Sequence, residues 1–166
     1  MHTRTPRTAV SAALLTLLAL LTALLPAASV QADTQPRAKT VQQSVTKYQN
    51  QARTATNNKR EAHDRVKLSR GKCVQRFARK QARRMADQNR MFHQRMRPIL
   101  NRCNLRAVGE NVAYGYPTGR SVVREWMHSA GHRANILNRQ YRLLGMAMRR
   151  SDNGTPYAAQ VFGRRR

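Results

Sequence analysis

Acidic residues are scarce in this chain. Seven Asp and Glu face 32 Lys and Arg in 166 residues, for a formal net charge of +25. Lysine is rare too, with six, so arginine carries the charge. Such an excess points to polyanions as partners, meaning anionic envelope polymers, lipid headgroups or nucleic acid, or else to a composition that merely solvates the surface. Aromatic residues make up 5% of the chain and do not interleave with the basic ones. Bases would find few rings to stack on, which argues against sequence-specific nucleic-acid recognition. Cysteine occurs twice, at Cys73 and Cys103, with no CxxC pair. Two sulfurs fall short of a structural zinc site. No second apolar run follows Ala9–Leu25, so no transmembrane segment remains once that run is removed. Nor does the chain show a recognisable Ser or Cys nucleophile paired with a base, since Ser129 reads at best as a helix cap.

What is present begins with residues 1–32, which read as a secretory signal peptide. Arg4 and Arg7 form a positive n-region, and Ala9–Leu25 is apolar except for Ser11, Thr16 and Thr22. Val30-Gln31-Ala32 then offers a small-residue cleavage site. The 17-residue run is just short of a spanning helix, which favours cleavage over an anchor. Removing 32 of 166 residues leaves 134, enough for one domain, and removing Arg4 and Arg7 leaves 30 basic against seven acidic residues. Export to an oxidising compartment makes one Cys73–Cys103 disulfide the simplest use of the two cysteines.

Residues 33–44 are polar and are expected to be loose. Val41, Val45, Tyr48 and Ala52 recur at helical spacing, and Asn50 and Arg53 ride on that helix. The polar stretch Thr54–Arg65 reads as a connection with Asn57-Asn58 at its turn, and His63 as a surface histidine. Cys73, Val74, Phe77, Ala78, Ala82, Met85 and Ala86 make the apolar face of a second helix. Lys72, Arg76, Arg79, Lys80 and Arg83 fall opposite, as a solvated stripe or a polyanion-binding ridge. Thr118 or Ser121 can cap a third helix, with Val122, Val123, Trp126 and Met127 inward. Ser129 starts a short fourth. Tyr141–Arg150 and Pro156–Phe162 read as strands joined by a turn at Asp152-Asn153-Gly154. Arg164, Arg165 and Arg166 read as a frayed basic tail. Helices flanking a small antiparallel sheet make an α+β fold.

The chemistry concentrates between Gly109 and Leu137. Glu110 and His132, on glycine-flanked backbone, can face one cleft, with His93 upstream as a third member. From spacing alone, Glu110 accepting backbone hydrogen bonds and His132 ending a helix is the plainer reading. The residues say more. GENVAYG from Gly109, then Trp126-M-x-S-x-G-His132-R-x-N-I-L, Tyr141-x-x-x-Gly145 and Tyr157-x-x-Gln160-V-F-Gly163 resemble the bacterial branch of the CAP superfamily. That superfamily groups cysteine-rich secretory proteins, antigen 5 and pathogenesis-related proteins; its bacterial branch is the SCP-like extracellular domain. Asn50-x-x-Arg53 and Met91-Phe92-His93 fit as well, so the resemblance covers residues 45–163.

The resemblance implies a CAP-type α–β–α sandwich with a cleft holding two histidines and two glutamates. His93, Glu110 and His132 match three of them. Where many relatives carry the second glutamate, this chain has Ser129, and Glu125, only about 40° around the helix from it, is the substitute candidate. His93 and His132 are candidate ligands for a weakly held divalent ion such as zinc. No catalytic residue is assigned and no cofactor is required. The leading expectation is a secreted, extracellular, non-enzymatic module binding a small apolar ligand or an envelope polymer. A metal-dependent hydrolase using the His/Glu cleft and a cationic effector working by charge are its rivals.

Overall fold

The computed structural model describes residues 35–166; the signal-peptide expectation for residues 1–32 lies outside them. Alternation of side chains along three strands, broken in β2 by a register shift between Leu105 and Ala107, sets the architecture. In β4 (Pro156–Arg165), Ala158 and Phe162 face one way while Tyr157, Ala159 and Val161 face the other, and all are buried. A strand buried on both faces must lie between two layers. It pairs antiparallel with β2 (Leu105–Tyr114) on one side and β3 (Leu143–Arg150) on the other. A two-residue β1 (Ser69–Arg70) adds to β3 in parallel, giving the order β1-β3-β4-β2.

On one face lie α1 (Gln35–Glu61), α4 (Gly119–His128) and α5 (Ala130–Leu137), whose Tyr48, Ala52, Val122, Trp126 and Ile136 join Leu144, Met146 and Phe162 in one core. On the other lie α2 (Lys72–Asp87) and α3 (Met96–Arg102), bringing Val74, Ala78, Met85 and Ile99 onto Leu105, Val112 and Val161. The result is the α–β–α sandwich. Gly145 lets α2 settle close on β3, because a Cβ there would collide with the Val74 carbonyl. Thr118 caps α4 in a reciprocal box with Ser121.

Three expectations need correction. Residues 35–44 are not loose, since α1 begins at Gln35. The same helix continues to Glu61, so Asn57-Asn58 is not a turn; Asn57 instead clamps the Leu68 backbone, donating to its carbonyl at 3.1 Å and accepting from its N–H at 2.9 Å. The chain reverses later, where Asp64 takes a φ of 55°. The third concerns Arg164 and Arg165, which extend β4 against Ala107 and Leu105 rather than fraying. β2 begins early enough to offer them backbone partners.

Arg60, at the C-terminal end of α1, is fully buried without a carboxylate among the described residues. Its guanidinium donates to carbonyl oxygens of Val66 at 2.8 Å, Ile136 at 2.7 Å, Asn138 at 2.9 Å and Tyr141 at 3.4 Å. Burial, with Arg142 and Arg65 nearby, lowers its pKa to about 10, so the cation persists at neutral pH.

Cys73, in the first turn of α2, is bonded to Cys103 at the end of α3, with Cα atoms 5.6 Å apart and a sequence separation of 30. This bridge closes the loop that carries His93. Closing it constrains the unfolded chain by about 3–4 kcal/mol in the chain-entropy account. Cys73→Ser/Cys103→Ser should lower the urea-unfolding free energy by about that amount while keeping the far-ultraviolet spectrum. An unchanged midpoint would contradict it.

Candidate functional site

Glu110 lies mid-strand in β2, where its side chain is 2% exposed, yet among the described residues it has no Lys or Arg partner. Three donors from one neighbouring segment hold it instead. His93 Nδ1 lies 2.8 Å from Oε1, Gln94 N donates to Oε1 at 3.2 Å, and Gln94 Nε2 donates to Oε2 at 2.5 Å. A carboxylate only accepts, so the neutral His93 ring carries its proton on Nδ1 and leaves Nε2 as an acceptor. That ring is 60% exposed, so Glu110 orients an imidazole whose far edge meets solvent. The segment itself is pinned by Gln81, whose buried amide donates to the Phe92 carbonyl. Phe92 is flanked by the Arg84 and Arg90 guanidinium groups, 5.0 and 5.1 Å from its ring centre.

A relay of side-chain amides ties the other wall to the sheet. Asn135 Nδ2 donates to the Glu110 carbonyl and to Asn111 Oδ1, both at 3.0 Å. Asn111 Nδ2 in turn donates to the His132 carbonyl at 3.1 Å and Gln160 Oε1 at 3.4 Å. Gln160 Nε2 continues to Thr56 Oγ1 at 2.7 Å on α1. Buried amides are costly unless paired in this way. Gly109 makes room for the relay, because a Cβ there would meet Asn135 Oδ1 at 2.7 Å and Tyr141 Oη at 2.5 Å. Gln94, Asn111, Asn135 and Gln160 were not singled out by sequence reasoning as site residues. Only Gln160 carried a signal of its own, polarity between buried apolar neighbours in Ala158-Ala159-Gln160-Val161-Phe162.

His132, in the first turn of α5, is half-buried and its ring centre stands 6.4 Å from that of Trp126. With Met91, Val112, Tyr114, Tyr116, Glu125, Trp126 and Ser129 it lines a cleft of about 590 Å³. Glu125 therefore reaches this cleft wall from the exposed side of α4. Ser129 occupies the N-cap position of α5 without a side-chain cap bond, and its hydroxyl has no imidazole partner among the described residues. Met91 and Tyr114 are large apolar side chains left exposed at the mouth, and Tyr114 stacks on Tyr157 at 5.7 Å. Trp126 is buried, with its Nε1 donating to the Val112 carbonyl at 3.2 Å.

The donors do not fit a resident metal ion. Both Glu110 oxygens are engaged, and no three His, Cys, Asp or Glu side chains among the described residues gather as a ligand set. His128 precedes His132 by four residues, but extended backbone at Ser129 (ψ 122°) separates their helices. The zinc expectation is left with His93 Nε2 and the His132 ring alone.

Burial pushes the His132 pKa below its usual 6.5, His93 adds to this, and Glu125 opposes it. The unfolded chain therefore takes this proton first as pH falls. The neutral ring's contribution to stability is complete above pH 6.5 and is lost as pH drops through the lower folded-state value. Between pH 8 and pH 5 the wild-type chain should lose more unfolding free energy than His132→Gln. Equal losses would contradict this assignment.

Residues 46–162 match the profile of the cysteine-rich secretory protein family, CAP. An uncharacterized Bacillus subtilis protein, YkwD, is 28% identical over 130 residues, which is 73% of this chain and 49% of that protein. Among solved structures, an extracellular protein with an SCP domain from Bacillus anthracis superposes with a TM-score of 0.68 at 25% identity, over 76% of this chain and 43% of the other. An outer surface protein of Borrelia burgdorferi superposes with a TM-score of 0.63 at 16% identity, over 81% of this chain and 96% of the other. This chain thus spans less than half the length of YkwD and of the Bacillus anthracis protein.

Proposed function

The chain belongs to the cysteine-rich secretory protein family, and from that premise we propose that it acts outside the cell as a non-enzymatic binding module. Its cleft takes a small ligand with an apolar body and one hydrogen-bonding group. The observation that carries this reading is the pairing of exposed Met91 and Tyr114 with His132 around about 590 Å³ of open cleft. Volumes of this order, with apolar walls and few polar groups, suit small molecules. Apolar side chains left at a mouth lose unfavourable hydration when a ligand covers them. The extracellular placement is supported by structural neighbours described as extracellular and outer surface proteins.

One observation favours a second reading, an extracellular hydrolase. Glu110 fixes the His93 tautomer as an oriented general base requires. Among the described residues Ser129 has no imidazole partner and both cysteines are bonded to each other, so such an enzyme would have to activate water rather than a side-chain nucleophile. Three hydrogen bonds to Glu110 also describe a structural acceptor better than an acid–base group in transit.

Trp126 is the sole tryptophan and lines the cleft, so its fluorescence reports occupancy. Titration with palmitate and with a sterol should perturb its emission saturably for at least one of them. Met91→Ala/Tyr114→Ala should weaken that binding about tenfold or more, the effect of truncating two apolar anchors. Silence with both probes would contradict the ligand class. Hydrolysis of ester or peptide substrates that disappears in His93→Ala would favour the enzyme.

A further inference from the structure

A second concavity, remote in character from the His132 cleft, runs between α1 and α2 along the edge of β3. It encloses about 780 Å³, and its walls include Arg53, Arg70, Lys72, Arg79, Arg83 and Arg149 with no acidic residue among its described lining. Such a concentration of one charge is costly to fold unless an external partner or solvent offsets it. Local partners do little. Arg53 donates to the Leu144 carbonyl and Gln75 Oε1, both at 3.3 Å, and Arg70 to Asn50 Oδ1 at 3.2 Å, all neutral acceptors. Arg53 Nε is buried and has no hydrogen-bond partner among the described residues. Of these groove cations only Arg83 has a described carboxylate partner, Asp87, at 3.5 Å in an exposed pair worth little in water. Burial, and to a lesser extent Arg70, lower the Arg53 pKa to about 10, as befits a partly desolvated cation at the groove floor.

The edge of β3 is also unfinished. β1 pairs with Leu143 and Leu144, and the Gln75 amide then takes both backbone groups of Met146, at 3.0 and 2.8 Å. By the two-residue period of a strand, Met148 turns its N–H and C=O to the same side, into the groove that it lines. The groove thus offers backbone polarity, cations and, from Val45, Ala147 and Met148, some apolar wall.

We propose that this groove binds an extended polyanion of the polyol-phosphate class, phosphates joined by short carbon links, lying along the β3 edge. Guanidinium groups match phosphate oxygens in pairs. Along α2, Lys72, Arg79 and Arg83 follow one another at rises of about 10 and 6 Å, a row rather than a point site. The apolar wall meets the carbon links. No Phe, Tyr or Trp is among the described residues lining the groove, so nucleic-acid bases lack a stacking platform. A recessed channel between helices admits a chain more readily than a flat membrane surface. The inference is independent of the ligand cleft, and either can fail alone.

The test is binding of labelled poly(glycerol phosphate) to the disulfide-intact protein across a salt series. Lys72→Gln/Arg79→Gln/Arg83→Gln removes three exposed groove cations. Arg97→Gln/Arg106→Gln/Arg120→Gln removes three exposed cations elsewhere. The groove variant should lose at least tenfold in affinity and reduce the slope of log K against log salt by about 2–3. The control variant should stay within about threefold of wild type, as should Met91→Ala/Tyr114→Ala. Equal losses in the two charge variants would overturn the groove and leave charge composition alone as the cause. Tighter groove-dependent binding of poly-glutamate, single-stranded DNA or anionic vesicles of matched charge would overturn the polyol-phosphate assignment.

Discussion

Much of this structure hangs on one guanidinium. Arg60 reaches from the end of α1 to carbonyl oxygens on both sides of the α5 terminus and in the segments leading to β1 and β3. Those carbonyls have no helical partner of their own, and the negative end of the α5 dipole meets a buried cation. The Tyr141 carbonyl also accepts from Arg142 at 2.9 Å, but leaving any of the others unpaired would cost about 1–3 kcal/mol. α5 carries His132 and Asn135, so the position of one cleft wall follows from a residue on another helix. Arg65 reinforces it through the Leu137 carbonyl at 3.1 Å.

The same economy runs through the molecule. With seven acidic residues, the fold cannot satisfy its arginines with carboxylates. Backbone carbonyls and neutral amides take their place for Arg53, Arg60, Arg65 and Arg70. Glu110 is the buried exception, and it is given to an imidazole and a glutamine rather than to a Lys or Arg. Set in a frame of paired amides, the half-buried His132 imidazole lines the cleft, while the fixed Glu110 carboxylate and the imidazole it orients are not among the cleft's described lining. Rigidity of this kind suits preorganised binding, because little side-chain freedom remains to be lost.

The apolar stripe of α2 and the weak alternation of Tyr141–Arg150 made helices around a small antiparallel sheet legible, and the family resemblance supplied the sandwich. The motifs around Glu110, His132 and Gln160 are specific enough to name a family. Elsewhere local pattern failed for identifiable reasons. Thr54–Glu61 looks like a connection because it is polar, yet Thr56 and Arg60 are buried there by partners far away in sequence. Arg164 and Arg165 look like a tail until β2 supplies their register. Gln94 carries no mark of its own beyond following His93; its role exists only once Glu110 arrives from β2. Tertiary hydrogen bonds of this sort leave no period in a sequence.

Arg60 holds the α5 wall, while Glu110, on β2, holds the His93 segment independently. Amide hydrogen exchange of Arg60→Met tests it most directly. Faster exchange should be confined to α5 and residues 138–142, with protection retained in β2 and at Gln94. Uniform loss of protection across the domain, or none at α5, would contradict it.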